Sequence, residues 1–254
     1  DHGILRLTLN DPDNKNALSE LMMQELLKAI SDASKDNSVK VIVIASTGDV
    51  FCSGHNLKEI NEAKKSDDNG ESYYLGLFKI CSSLMQLIIH CSKPVIAEVN
   101  GVATAAGCQL VASCDLAISS SSSKFATPGV NIGLFCSTPM VAVSRNISRK
   151  KIMEMLLTGE KLSANEAVHF GLINKCVPLE RLHFDTLNLA KLIASKPTST
   201  VKIGKEAFYK QVEMSLDDAY NYTSEVMAIN MMERDAHEGI SAFLDKRTPS
   251  WNEK

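Results

Sequence analysis

The sequence predicts an α/β fold with a helical tail, and three observations carry that prediction. Val39-Lys40-Val41-Ile42-Val43-Ile44 is an almost unbroken apolar run of strand length, the pattern of a strand covered on both faces of a parallel sheet. Shorter apolar runs at 4–9, 94–99 and 116–118 alternate with stretches of helical spacing and short polar connections. From Arg149 onward the pattern is almost wholly helical.

Composition narrows the class. A chain of 254 residues suffices for one large domain, or a domain with an appendage, and its core needs no staples. Hydrophobic residues at 44% and charged residues at 22% exclude a disordered chain and a coiled coil. The longest uninterrupted apolar run is 41–45, so no membrane-spanning helix and no membrane partner are expected. A net charge of −3 lacks the basic footprint of a nucleic-acid binder. The cysteines at 52, 81, 91, 108, 114, 136 and 176 are odd in number and form no C-x-x-C pair. They read as buried thiols in a reducing compartment, not as disulfides or zinc ligands. His2, His90, His169, His183 and His237 show no metal-ligand spacing either, and read as structural or surface residues.

In chain order, Ile4, Leu5, Leu7 and Leu9 predict a strand, closed by the turn residues Asn10-Asp11-Pro12-Asp13-Asn14. Ser19 is placed as a helix cap, and Leu21, Met22, Leu26, Ile30 and Ala33 recur at helical spacing. After the strand at 39–44 come a turn, Thr47-Gly48-Asp49, and a polar loop, Cys52-Ser53-Gly54-His55-Asn56. The polar stretch 64–72 reads as a mobile loop beside the site, and a helix runs from Tyr73 to about His90. Asn100-Gly101 predicts a turn, the small residues 103–113 a helix, and the serine tract 119–123 a solvated turn. Ser163-Ala164-Asn165-Glu166 is a capping box whose helix ends at Gly171. Helices are predicted at 199–212, 215–230 and 233–244, and the division falls between a core of 1–196 and a helical region of 197–254. Phe208, Met214, Met227, Met231 and Met232 give that region apolar faces richer than one subunit needs, pointing to contacts between copies; filling ordinary core gaps is the competing reading. Lys202, Lys205 and Lys210 share one predicted helix and read as a solvated face.

Two strand-to-helix transitions are the places for chemistry: Phe51-Cys52-Ser53-Gly54-His55-Asn56 and Asn100-Gly101-Val102-Ala103-Thr104-Ala105-Ala106-Gly107. Small residues let a ligand approach main-chain N–H groups, and a helix start offers unpaired donors and a positive dipole end. Two such turns facing one another can hold a developing oxyanion. Tight packing is the plain alternative for the same small residues.

Longer stretches carry a resemblance. FCSGHNLKEI (51–60), KPVIAEVNGVATAAGCQLVASCDLAI (93–118), FATPGVNIGL (125–134), LLTGEKLSANEAVHFGLINKCVP (156–178) and EGISAFLDKRTPSW (238–251) resemble, in the same order, the crotonase or enoyl-CoA hydratase/isomerase superfamily. The likeness spans essentially the whole chain. It implies a crotonase-like ββα spiral with a C-terminal helical oligomerisation region, assembling as a homotrimer or a dimer of trimers. It implies an acyl-CoA thioester as substrate, with coenzyme A entering as part of that substrate and no metal or redox cofactor. By position, the main-chain N–H groups of His55 and Ala106 are implied to hold the thioester oxygen, within Gly54, Asn56 and Gly107. The loop Lys15-Asn16-Ala17-Leu18 and Lys58 are implied to line the CoA. Phe243 and Lys246 match positions that reach a neighbouring subunit's CoA; ordinary helix-surface roles are the alternative.

Two departures from the family pattern bear on activity. The hydratases of the family use two glutamates to handle water and protons, and here those positions are Gln109 and Gly129. A tuned carboxylate exchanges protons near neutral pH; an amide does not, and glycine has no side chain. Classical hydration is therefore expected to be weak or absent. His55 is the best side-chain candidate for proton transfer, since imidazole titrates near about 6.5. Cys108 and Cys136 lack an activating base and read as structural. Thr104 and Asn131 read as turn or cap residues before pocket donors. The expectation is an acyl-CoA protein of fatty acid or carboxylic acid metabolism. Isomerisation, decarboxylation or thioester hydrolysis on the same oxyanion is one alternative, and a non-catalytic acyl-CoA-binding trimer is the other. The expected location is the mitochondrial matrix for a eukaryotic source and the cytoplasm for a bacterial one.

Overall fold

A computed structural model describes residues 2–251. Strands β1 (Ile4–Leu9), β2 (Val41–Ser46), β4 (Val95–Val99), β6 (Leu116–Ser120) and β9 (Lys175–Val177) form an all-parallel sheet in that order. The shorter β3 (Val50–Cys52), β5 (Val102–Thr104), β7 (Lys124–Ala126) and β8 (Leu162–Ser163) form a second sheet in that order, antiparallel only at β7–β8. The two orders have one cause. Each of β2, β4 and β6 is followed by a tight corner, then by a strand of the second sheet, then by helix, so the chain climbs as a ββα spiral. The helices are α1 (Glu20–Lys35) before the spiral, then α2 (Leu57–Ala63) and α3 (Glu71–His90), α4 (Ala106–Ser113), and α5 (Ser137–Val143) and α6 (Arg149–Thr158) after successive turns. Helices α7 (Ala164–Phe170) and α8 (Leu179–Ala194) close the core, and α9 (Thr198–Gln211), α10 (Leu216–Met231) and α11 (Arg234–Leu244) follow.

The corners stack on one another. Gly101 has φ +77°, and a Cβ on it would stand 1.8 Å from the Asp49 carbonyl oxygen of the corner before. Asn100 Nδ2 donates to Gly48 O at 2.8 Å across the same junction. The serine tract is the third corner; its turn, Ser121-Ser122, is exposed as expected, but the serines flanking it are not solvated. Ser119, Ser120 and Ser123 are fully buried. Ser123 Oγ donates to Val99 O at 3.0 Å and lies 2.8 Å from Ser120 Oγ, so the hydroxyls satisfy one another and the corner below.

Side chains alternate across β2, as strand geometry demands. Ile42 and Ile44 join one core with Met23, Leu26 and Ile30 of α1 and Leu77, Leu84 and Ile88 of α3. Val41 and Val43 point the other way and pack with Ala190 and Ala194 of α8. Each fully buried Leu or Ile contributes about 1.5–3 kcal/mol. Ser19 caps α1 as expected, its Oγ accepting from Met22 N at 3.1 Å. Leu26, Ile30 and Ala33 are buried as expected and Met22 packs partly against the core, but Met23 is the fully buried residue of the first turn while Leu21 is 67% exposed.

Three further expectations are corrected. Residues 50–52 and 102–104 are strands, where a turn-and-loop segment and a helix start were expected. The stretch 64–70 is a run of turns in which Asp68 accepts from Gly70 N and Ser72 N at 3.0 and 2.9 Å, and α3 starts at Glu71. Those donors, with the Ser66 and Ser72 hydroxyls, hold the Asp68 carboxyl far below the usual carboxylate range. Lys205 is not on a solvated face. Its Nζ is buried and donates to Ile88 O, Lys93 O and Asp115 Oδ2 at 3.0, 3.0 and 2.7 Å. Tyr209 OH reaches the other Asp115 oxygen at 2.9 Å, so one carboxylate ties α9 to the core. Helix α3 is, among the described residues, the one helix long and apolar enough to cross a membrane, and its Leu77, Cys81, Leu84, Met85 and Ile88 lie in the core.

Candidate functional site

Strands β3 and β5 are parallel neighbours, with Val50 opposite Val102 and Cys52 opposite Ala103. Their C-terminal ends therefore lie side by side, and so do the bends that leave them. The first bend, Ser53-Gly54-His55-Asn56, enters α2, where Asn56 Oδ1 caps by accepting from Lys58 N at 3.0 Å. The second turns through Ala105 into α4. Thr104 Oγ1 donates to Ser53 O at 3.1 Å and links the two. A Cβ on Gly54, at φ +97°, would stand 2.9 Å from Ala105 Cβ and 3.4 Å from Ala106 N. Only glycine fits there.

Ala105 holds φ 51° and ψ −120°. That region costs a residue with a side chain about 1–3 kcal/mol. The strain makes the abrupt change from strand to helix and leaves Ala106 N at the exposed-donor end of α4. Gly107 lets α4 rest on β3: a Cβ there would lie 2.2 Å from Cys52 O. All eight residues of α4 are buried. Among the turn, loop and cap bonds of the described residues, neither His55 N nor Ala106 N donates to a protein acceptor.

The side chains around the bends are mostly engaged. Gln109 is buried, and its Oε1 accepts a long bond from Cys81 Sγ at 3.8 Å. The His55 ring meets Phe78 edge-on at 5.4 Å, so His55 and Gln109 lean on the same side of α3, about one turn apart. His55 Nδ1 lies 3.4 Å from Leu18 O, an acceptor, which assigns the ring proton to Nδ1. Its Nε2 is buried without a partner. Burial holds this imidazole below its ordinary pKa, so it is neutral at pH 7. Gly129 is buried too, and a Cβ on it would meet Leu134 O at 2.8 Å and Cys136 Sγ at 2.9 Å. No side chain of any kind fits at that second family position without movement of the backbone at Leu134.

The loop expected to line the CoA divides in two. Asn16, Ala17 and Leu18 are buried. Asn16 uses its amide on Asp11 N, Thr47 O and Val50 O, and Leu18 N donates to Gly54 O at 2.7 Å. These bonds shape the first bend and leave any contact of this segment with a ligand to its main chain. Lys15 and Lys58 are exposed, and Lys58 Nζ donates to Oδ1 of Asn14, the residue before Lys15, at 3.3 Å. Phe243 is 83% exposed near the end of α11, and Lys246 follows at φ 54°, its N–H donating to Phe243 O at 3.3 Å. Burial pushes the Cys52, Cys81 and Cys108 thiols up to about 12, so they stay protonated and unreactive. Among the described residues, no group of three or more His, Cys, Asp or Glu stands ready to share a metal ion.

The sequence reading missed Ala105, Phe78 and the Leu134 carbonyl. A left-handed alanine has no sequence signature, and the other two depend on packing between distant segments. The valines at 50 and 102, each after a turn containing glycine, are the signal that could have found the two short strands.

Comparison with known proteins places this geometry. The enoyl-CoA hydratase/isomerase family model matches residues 1–254, and the chain belongs to that family. A Xenopus laevis protein named enoyl-CoA hydratase domain-containing protein 3, mitochondrial, is 50% identical over 251 residues, covering 99% of this chain and 84% of that protein. The crystal structure of human enoyl coenzyme A hydratase domain-containing protein 3 matches with a TM-score of 0.94 at 48% identity, over 99% of this chain and 97% of that one. A crystal structure of an enoyl-CoA hydratase from Mycobacterium smegmatis gives 0.94 at 45% identity, over 99% and 96%. The expected crotonase-like α/β spiral with C-terminal helices is the fold observed.

Proposed function

We propose that the paired bends bind an acyl-CoA thioester and polarise its carbonyl between His55 N and Ala106 N, with no carboxylate pair to complete hydration. The observation that carries this reading is the meeting of the two bends at Gly54, 3.4 Å from Ala106 N to a notional Cβ, with both N–H groups left without protein acceptors. Preset main-chain donors of this kind lower the barrier to an enolate, and losing one typically costs about 3 kcal/mol. Lys15 and Lys58 flank the entrance as the cations for the CoA phosphates. Gln109 can orient a water or a carbonyl but cannot take a proton. Gly129 leaves its place to a backbone carbonyl and a thiol. His55 props the first bend through Leu18 and Phe78, and its neutral ring is one candidate proton acceptor there; the Glu59 carboxyl, which accepts from Asn56 Nδ2 at 3.0 Å, is another. The C-terminal helices, with Phe208, Met227 and Met232 exposed, support assembly as a trimer or a dimer of trimers. The relatives' names support a mitochondrial location.

The direct experiment follows loss of enoyl absorbance with crotonyl-CoA beside calorimetry with acetyl-CoA. Binding with little or no hydration is expected. Rapid hydration would overturn the assignment of a disabled proton pair, and no binding at millimolar ligand would overturn the site. A non-catalytic acyl-CoA-binding protein is the second reading, favoured by the sealed position at Gly129. Exchange of the thioester α-protons in D2O separates the two: exchange indicates catalysis, and binding without exchange indicates a binder.

A further inference from the structure

The side of the parallel sheet facing away from the bends holds a second cavity. Ile4, Arg6, Val43 and Glu98 form its floor, and His183, Thr186, Leu187 and Lys191 of α8 form its roof, with His2 at one end and a volume of about 320 Å³. The alternation that sends Ile42 and Ile44 toward α1 and α3 sends Val43 here, so the sheet separates this cavity from the thioester site.

Its polar groups are arranged but not used up. Arg6 holds Glu98 with two charge-assisted bonds of 2.8 and 2.6 Å, and Arg6 Nη1 also lies 3.1 Å from His183 Nδ1. His183 Nδ1 is 3.4 Å from Glu98 Oε2. A guanidinium has five N–H donors, so some of Arg6's remain for another acceptor. Thr186 Oγ1 is buried with no partner at all. A hydroxyl in that state has lost water and gained nothing, which a ligand oxygen would repair. Lys191 adds an exposed ammonium on the same side of α8. Arg6 and Lys191 stand against the single carboxylate of Glu98, while Ile4, Val43 and Leu187 supply an apolar wall.

We infer that this cavity is a second binding site, for a small monocarboxylate with a short apolar chain. The carboxylate lies between Lys191 and the free Arg6 donors, accepting from Thr186, and the chain lies against the apolar wall. A dianion would be opposed by Glu98, and a neutral molecule would leave the charge excess unmatched.

The test is titration of sodium butyrate into the full chain, followed by amide and methyl NMR, with butyramide as the uncharged control. Saturable shifts at Thr186, Val43 and Leu187 are expected, with butyramide about tenfold weaker or more. Lys191→Ala and Thr186→Val should each weaken butyrate severalfold; Thr186→Ser, which keeps the hydroxyl, should not. Absence of saturation, shifts confined to the bends at His55 and Ala106, equal binding of butyramide, or variants that bind as the parent does would each overturn the inference. None of these outcomes bears on acyl-CoA binding at the bends, which the acetyl-CoA calorimetry measures separately.

Discussion

Helix α4 and helix α10 show opposite relations to the rest of the molecule. Every residue of α4 is buried, and none of α10 is. The first sits where three tightly stacked turns of backbone leave no free volume. The second presents Leu216, Tyr220, Met227 and Ile229 to the outside, more apolar surface than a solvated helix requires. In the core, backbone meets backbone and each residue is constrained by its neighbours. In the tail, the single chain leaves apolar side chains facing outward. The paired amides proposed to hold the thioester lie in the buried part, and the surface proposed for assembly lies in the tail.

Four measurements sharpen or break this contrast. The largest effect is expected for Gly107→Ala, whose Cβ would meet the Cys52 carbonyl oxygen at 2.2 Å. Two backbones must separate, so a loss exceeding about 4 kcal/mol is expected in urea unfolding; a parent-like midpoint would mean that α4 is not held against β3. Next is Asp115→Ala, which strands the buried Lys205 ammonium and should cost about 3 kcal/mol. If the tail were independent of the core, only a separate minor transition would shift.

Smaller effects follow. Met227→Glu combined with Met232→Glu, at positions 60% and 78% exposed, should change unfolding of the chain by less than about 0.5 kcal/mol. Light scattering should nonetheless report a lower mass. Unchanged mass would remove α10 from the interface. The last concerns pH. Burial lowers the folded-state pKa of His55, so the unfolded chain binds more protons as pH falls. The stability this group contributes is complete above its unfolded value of about 6.5 and declines as pH falls below that toward the lowered folded value. Replacing it with Phe should flatten the difference in urea midpoint between about pH 7.5 and 5.5 by a fraction of a kcal/mol to about 1 kcal/mol. An unaltered slope would show that the ring is not buried in solution.

Much of the fold was legible because local chemistry and tertiary role agreed. The apolar run at 39–44 had to be covered on both faces, and Ser163 with Glu166 formed the capping box their types and spacing predict. The bends at Gly54 and Ala106 were legible as small-residue turns after strands, and the family's motif assigned their residues. The family resemblance is what marks Gln109 and Gly129 as standing where two glutamates were expected. Ser119, Ser120 and Ser123 were misread because polarity signals water unless other protein groups, such as the distant Val99 carbonyl for Ser123, provide the hydrogen bonds. The structural task of Asn16 was not legible at all, since its amide is taken by backbone more than thirty positions along, at Thr47 and Val50.

The sequence by itself determined the α/β class, the family and the helical tail, because each depends on residue type and short-range spacing. Only the tertiary structure decided that two three-residue strands bring the bends together, that Leu134 and Cys136 close the place beside Gly129, and that a buried Lys205 fastens the tail. These depend on which distant segments pack against one another, and the period of a sequence holds no record of that.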